Sequence, residues 1–98
     1  MNRKQILIEK YIEPSEISYG ARVIIEKWFN KHEEEHSFMG QPSTVYYTYD
    51  NREIICKFWQ KKGNPHREKG MPAYIHYSGN NEIIIQEWWN NGDFIKSK

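Results

Sequence analysis

The segment His32-Glu33-Glu34-Glu35-His36 has the residue types and the spacing of a zinc-hydrolase motif. In H-E-x-x-H, two histidines one helical turn apart bind Zn²⁺ and the glutamate activates a water molecule. This chemistry requires a helix. Residues 21–36 could form one, because their large apolar side chains recur at a helical spacing. The motif therefore marks His32 and His36 as a metal-site alternative to a solvent-exposed acidic loop.

A second candidate combines basic and aromatic residues. Lys61, Lys62, His66 and Arg67 follow closely after Trp59. Cations of this kind meet phosphates, and aromatic rings stack on bases, so the stretch could bind RNA or a small nucleotide ligand. The other interpretation is an ordinary loop between strands. The corresponding stretch one repeat earlier is acidic, and the whole chain carries a net charge of only +1, so the sequence does not predict a continuous basic track.

Cys56 is the only cysteine, which excludes an intramolecular disulfide and a zinc site built on cysteines. Its apolar neighbours Ile54 and Phe58 predict a buried structural thiol rather than a nucleophile. The chain shows no Ser-His-Asp pattern and no glycine loop that could cradle a phosphate. We therefore expect no enzymatic activity and no cofactor, and a reducing, cytoplasmic setting.

The elements that position these residues belong to a tandem repeat. Sliding the sequence against itself by 30 residues, without a gap, aligns its aromatic, glycine and proline positions. The aligned pairs include Ile24 with Ile54, Trp59 with Trp89, His36 with His66, Gly40 with Gly70, Pro42 with Pro72, and Tyr47 with Tyr77. Periods of this length are typical of repeat proteins, in which each unit packs against its neighbours. A chain of 98 residues then forms one domain, residues 1–98.

The residue pattern within each unit predicts a β-hairpin. Val45, Tyr47 and Tyr49 alternate with Thr44, Tyr46 and Thr48, which is the period of a half-buried strand, and Asp50-Asn51 suits a tight turn. The fold class predicted is all-β, an antiparallel meander of about six strands in hairpins 15–29, 43–59 and 73–89. Residues 1–14 form an N-terminal cap, either a strand or a short helix. The repeat also disfavours the zinc helix, because the counterpart of the motif, residues 62–66, contains Gly63 and Pro65.

Two-residue turns would pair Val45 with Cys56 and Tyr47 with Ile54, which places Cys56 and Phe58 on the core face. The opposite face would then carry a second apolar stripe. This stripe contains Ile25, Phe29, Ile55, Trp59, Ile85 and Trp89. The sequence thus predicts Trp59 and Trp89 on one side of the sheet, opposite Phe58 and Trp88. The stripe is either core, a homo-oligomer interface or a platform for a ligand.

The last unit resembles a known class of repeats. His66-Arg67-x-x-Gly70-x-Pro72-Ala73, then Tyr77, an Asn-rich turn and Trp88-x-x-x-Gly92, is similar to the MORN-type and YwqK-antitoxin-like repeats of bacteria, tailed phages and large viruses. The likeness extends over roughly residues 17–95. It implies a single-layer antiparallel sheet that serves binding, generally without catalysis. It supplies no catalytic residues.

Together these features predict a non-enzymatic binding protein. The leading hypothesis is a phage-encoded inhibitor that blocks or sequesters a host protein through its aromatic face and inter-hairpin loops. The expected binding residues are Phe29, Trp59, Lys61, Lys62, His66, Arg67 and Trp89. The alternative is a nucleotide sponge or RNA-binding module, and a homo-oligomer is a further expectation. The sequence shows neither a signal peptide nor a membrane span, so no membrane association is expected.

Overall fold

The computed structural model describes residues 3–10, 22–78 and 81–98, and these residues confirm the all-β class. The strands are β1 (Arg3–Lys10), β2 (Arg22–Phe29), β3 (Thr44–Thr48), β4 (Ile54–Phe58), β5 (Gln60–Lys61), β6 (Asn64–Pro65), β7 (Tyr74–Tyr77), β8 (Ile83–Asn90) and β9 (Asp93–Ser97). Seven strands form one antiparallel sheet in the order β1-β2-β3-β4-β7-β8-β9, while β5 and β6 form a small separate hairpin. The main sheet is a meander, as expected. Within the described ranges no helix is long and apolar enough to cross a membrane.

The N-terminal cap is a strand rather than a helix. β1 pairs with β2 along its full length, from Arg3 opposite Phe29 to Lys10 opposite Arg22. β3 pairs with the other edge of β2. The strand expected at residues 16–19 and its turn at Gly20-Ala21 lie outside the described residues.

The central hairpin has one pair that the sequence predicted and one that it did not. Tyr47 lies opposite Ile54, as expected, but Val45 lies opposite Lys57 and not Cys56. The cause is a β-bulge, which inserts one extra residue into the return strand and shifts the pairing beyond it. Tyr46 becomes the partner of Cys56, so the thiol shares a face with Tyr46 instead of Val45.

The spacing between units also differs from the gapless alignment. Tyr46 and His76 are 30 residues apart, whereas their partners Cys56 and Ile85 are only 29 apart. The last hairpin has lost one residue in its turn, since Thr48 N–H donates to Glu53 but Ser78 N–H donates to Glu82. From the turn onward, each residue of the last return strand therefore matches a residue 29 positions earlier.

This one-residue difference overturns the predicted aromatic stripe. The equivalent of Trp59 is Trp88, and both indole N–H groups donate to a glycine carbonyl of the preceding loop, at 3.0 Å to Gly40 and 2.9 Å to Gly70. The strand register places Trp59 and Trp88 on one face of the sheet. Trp89 lies on the other face with Phe58, so the predicted pairing of Trp59 with Trp89 is wrong.

We name the two faces by a residue of each. The Trp59 face carries Trp28, Val45, Tyr47, Lys57, Trp59, Ile75, Tyr77 and Trp88. The Cys56 face carries Ile25, Thr44, Tyr46, Cys56, Phe58, Tyr74 and Trp89. Buried residues occur on both, for example Ile75 on the first and Cys56 on the second. Trp59, Ala73 and Ile75 form a small core cluster, against which Tyr77 packs on the same face.

Histidines join successive units at the end of each hairpin. The Nδ1 atom of His36 accepts a hydrogen bond of 3.0 Å from Lys62 N–H, and His66 Nδ1 accepts the same bond from Asn91 N–H. Both donors sit at the first position of a two-residue turn whose second residue is glycine, Gly63 or Gly92. All four turn residues have positive φ, between 47° and 92°. This geometry suits a tight turn between twisted strands, and it repeats from one unit to the next.

At the C-terminal edge of the sheet, β9 lies along β8 where another unit would place its first strand. Ser97 lies opposite Glu87, just as Tyr74 lies opposite the equivalent Phe58. Several apolar side chains stay exposed here, namely Ile83, Ile84, Ile85, Phe94 and Ile95. No second layer covers them among the residues that the structure describes. Part of the second apolar stripe is therefore open to solvent, at Ile85 and its neighbours.

Candidate binding site

The zinc-like motif forms a tight turn instead of a helix. Asn30 closes this turn, because its side-chain oxygen accepts hydrogen bonds from the backbone N–H groups of His32 and Glu34. The preceding residues 22–29 are strand β2. His36 uses Nδ1 to hold the turn of the next unit. The helical face that zinc hydrolysis requires is thus missing from these residues, and the described part of the chain contains no cluster of three metal-ligating side chains.

Trp59 and Arg67, both expected to bind a ligand, bind each other. The guanidinium carbon of Arg67 lies 3.7 Å from the centroid of the Trp59 ring, and one of its nitrogens donates a bond of 3.2 Å to the Pro72 carbonyl. Trp59 is only 5 % exposed. Burial lowers the pKa of Arg67, and the neighbouring Tyr77 acts in the opposite direction. Arg67 therefore covers the Trp59 ring, which the sequence predicted to be a stacking platform for a ligand.

The other expected cations do not gather into a phosphate site. Lys61 Nζ lies 4.0 Å from the Glu68 carboxylate, and His66 Nε2 lies 3.0 Å from the same oxygen. The hydrogen bond from His66 is the largest effect that lowers the pKa of Glu68, burial acts in the opposite direction, and the charge of Lys61 lowers it further. Lys62 sits in the exposed turn after β5. An acidic side chain therefore stands at the centre of the predicted basic patch.

Phe29 and Trp89 lie on the Cys56 face, away from Arg67. Phe29 pairs with Glu35 in an isolated bridge that closes the turn after β2. Trp89 packs edge-on against Phe94 with ring centroids 5.2 Å apart, and its indole N–H donates to the Glu87 carboxylate at 3.1 Å. The predicted binding residues are consequently divided between two faces of the sheet.

The Trp59 face has two neighbouring grooves. One, of about 570 Å³, runs between the loops 36–40 and 66–71 and contains Trp59 and Arg67. The other, of about 560 Å³, lies over β2, β3 and β4, and its floor includes Trp28, Val45 and Tyr47. Met39 lines both grooves. It is 97 % exposed and is held at the tip of its loop by a backbone with a positive φ of 55°.

Charged residues border the second groove without filling it. Lys4 Nζ pairs with the Glu26 carboxylate at 3.1 Å and lies 5.5 Å from the centre of the Trp28 ring. Lys57 lines the opposite wall and reaches over the ring of Tyr77. Burial and the negative charge of Glu26 raise the pKa of Tyr47, so its hydroxyl stays protonated in this groove at neutral pH. The groove thus combines an aromatic floor, a phenol, one carboxylate and two lysines.

The sequence did not single out Met39, Trp28 or Tyr47 as binding residues. Met39 had a recognisable signal, because it precedes Gly40 in a turn where the next unit carries Lys69. Methionine is used often at protein-binding surfaces, because its flexible side chain adapts to different partners. Trp28 and Tyr47 gave no such signal, since both fit a buried sheet face equally well.

Comparison with known proteins finds no match. No protein-family model, no characterised protein and no solved structure is similar to this chain at a significant level. The likeness to MORN-type and YwqK-antitoxin-like repeats therefore stays a prediction from the sequence.

Proposed function

We propose that this chain is a non-enzymatic protein-binding module whose partner docks on the Trp59 face, around the loop that carries Met39. The observation that supports this most directly is the placement of Met39, almost fully exposed between two grooves. Exposing the flexible, apolar side chain of methionine to water is unfavourable in free energy. A partner that buries this side chain recovers that free energy. The grooves on both sides provide room for side chains of that partner.

A protein partner fits this surface better than a nucleic acid. The surface around Met39 is largely apolar, and three of the expected phosphate-binding residues already have partners: Lys61 and His66 contact Glu68, and Arg67 stacks on Trp59. Phosphate binding would need those cations free and clustered. The role of a phage-encoded inhibitor of a host protein is compatible with this proposal, and it rests on the repeat resemblance alone.

The test is affinity capture from lysate with matched variants. Met39→Glu places a charge at the centre of the docking surface, while Ile84→Gln removes an exposed apolar side chain at the distant C-terminal edge. We expect a specific protein to be recovered by the wild type and by Ile84→Gln and to be lost with Met39→Glu. Identical recovery by all three proteins, or recovery of nucleic acid that depends on Lys61 and Lys62, would contradict the proposal.

A further inference from the structure

The repeat provides an internal comparison for the groove over Trp28. The residues that surround Arg67 in the second unit are Trp59, Pro72 and Tyr77. Their equivalents in the first unit are Trp28, Pro42 and Tyr47, because His36 N–H bonds to the Trp28 carbonyl just as His66 N–H bonds to that of Trp59. All three equivalents line the groove of about 560 Å³. The groove therefore occupies the place that an arginine side chain fills one unit later.

The residue that corresponds to Arg67 in the first unit is Ser37. Its hydroxyl oxygen accepts a hydrogen bond of 3.0 Å from Gln60 N–H, so its short side chain is used at the junction of the two units. Ser37 does not line the groove over Trp28. The first unit thus keeps the aromatic ring, the proline and the tyrosine of the arginine site, but lacks the arginine.

The groove over Trp28 carries a carboxylate, Glu26, at a position where the second unit has a lysine. The position of Lys57, which reaches over Tyr77, corresponds to Glu26 in the first unit. Glu26 lies close enough to Tyr47 to shift its titration. Two lysines also line the groove. Lys57 reaches over the ring of Tyr77, whereas Lys4 pairs with Glu26 and lies 5.5 Å from the centre of the Trp28 ring, so an incoming guanidinium would displace Lys4 from this place. In the second unit, Arg67 stacks on Trp59 with Lys57 at the position of Glu26.

On these grounds we propose that the groove over Trp28 binds an arginine side chain of the partner protein. The guanidinium would stack on Trp28 as Arg67 stacks on Trp59, with the Pro42 carbonyl as acceptor and Glu26 as the counter-charge. A guanidinium suits this site better than an ammonium, because it is planar, stacks on aromatic rings and donates several hydrogen bonds in its own plane. This inference rests on the proposed docking surface and specifies the chemistry of its partner.

The direct test is NMR titration of the ¹⁵N-labelled protein with three blocked peptides that carry arginine, lysine or citrulline at the same position. Citrulline keeps the planar shape without the charge. The indole N–H resonance of Trp28, assigned with Trp28→Phe, is the readout. We expect the arginine peptide to shift this resonance and to bind about tenfold more tightly than the lysine peptide, as one lost stacking and hydrogen-bonding interaction implies. Citrulline should bind more weakly than arginine.

Two groups of variants make the test specific. Glu26→Gln should weaken binding of the arginine peptide several-fold, and Lys4→Gln should strengthen it by releasing the carboxylate. Ser37→Arg should fill the groove from within and abolish binding, whereas Ser37→Ala, which also loses the bond to Gln60 N–H, should bind normally. If Ser37→Arg fails to fold, the Glu26→Gln and Lys4→Gln variants still test whether the groove binds the arginine peptide.

The proposal is overturned if lysine and arginine peptides bind equally, if the shifts appear at Trp59 or Trp88 instead, or if no peptide binds. The last result can be separated from failure of the docking surface itself. A protein captured in a Met39-dependent manner, together with no arginine binding, would leave the surface in place and remove the arginine site. Loss of both would remove both.

Discussion

The guanidinium of Arg67 lies 3.7 Å from the centroid of the Trp59 ring and donates to the Pro72 carbonyl. A planar cation at this distance is in stacking contact with the indole, and the combination links the inter-unit loop to the core cluster of Trp59, Ala73 and Ile75. Few side chains are fully buried in a single-layer sheet. The Arg67 side chain here shields the apolar Trp59 ring from water, as a second layer of structure does in larger folds.

Arg67→Ala should therefore destabilise the protein by about 1–2 kcal/mol, the sum expected for one stacking contact and one hydrogen bond. Chemical denaturation followed by tryptophan fluorescence would measure this. Lys96→Ala is the control, because Lys96 lies 4.7 Å from the Trp88 ring on an exposed edge strand and should matter much less. Arg67→Lys should recover only part of the loss, since an ammonium does not stack. Equal effects of the Arg67 and Lys96 variants would show that the stacking contact adds nothing to stability.

A second prediction uses the two equivalent turns. Lys62 and Asn91 occupy the same turn position with φ of 51° and 47°, each followed by glycine. Asparagine tolerates positive φ better than lysine does, so Lys62→Asn should stabilise the protein by about 0.5 kcal/mol. The hydrogen bond to His36 survives, because the donor is the backbone N–H. Thermal unfolding would show the gain as a higher Tm.

The exchange in the opposite direction is the matched control. Asn91→Lys should lower stability by a similar amount, since it places the same residue type in the same backbone conformation. If both substitutions changed the stability in the same direction, side-chain contacts rather than backbone preference would decide these turns.

The sequence predicted the meander and the strands of the second and third hairpins, because these depend on local patterns, but it did not predict β5, β6 or β9. Period-2 alternation identified β3 and β7, and the Gly-x-Pro segments identified the loops. Val45 was assigned the wrong partner because a β-bulge leaves no mark in a run such as Ile54-Ile55-Cys56, where each residue is apolar.

The equivalence of the tryptophans failed for a similar reason. Trp88-Trp89 aligns a tryptophan with Trp59 at a spacing of either 29 or 30 residues, so a one-residue deletion in the turn cannot be seen. The candidate site was predicted only in part. Trp59, Arg67, Lys61 and His66 do line one groove, yet the sequence could not show that Arg67 stacks on Trp59 and that Glu68 holds the other two. Those contacts depend on side-chain geometry across a loop.

The histidine links between units give a third prediction. His66 Nδ1 accepts from Asn91 N–H, and its Nε2 lies 3.0 Å from Glu68, an arrangement that fits a neutral ring protonated at Nε2. His66→Ala should cost about 1 kcal/mol by removing the bond to the turn. His66→Asn keeps an acceptor near the Nδ1 position and should restore most of the loss. Hydrogen exchange at the Asn91 amide would follow the bond directly, and equal exchange in the Ala and Asn variants would argue against this role.

Glu68 provides the last prediction, which concerns pH. The hydrogen bond that His66 donates is the largest effect on Glu68 and lowers the pKa of this carboxyl below its ordinary value. A carboxyl whose pKa is lower in the folded state stabilises that state above its unfolded pKa, and the contribution disappears as the pH falls through the folded pKa. Carbon-detected NMR titration should therefore show a lowered pKa for Glu68 in the wild type and a return toward the ordinary value in His66→Ala. Lys61→Ala should raise it less, because Lys61 is the weakest of the contributing groups. A Glu68 pKa that stayed low without His66 would mean that another group supplies the stabilising charge.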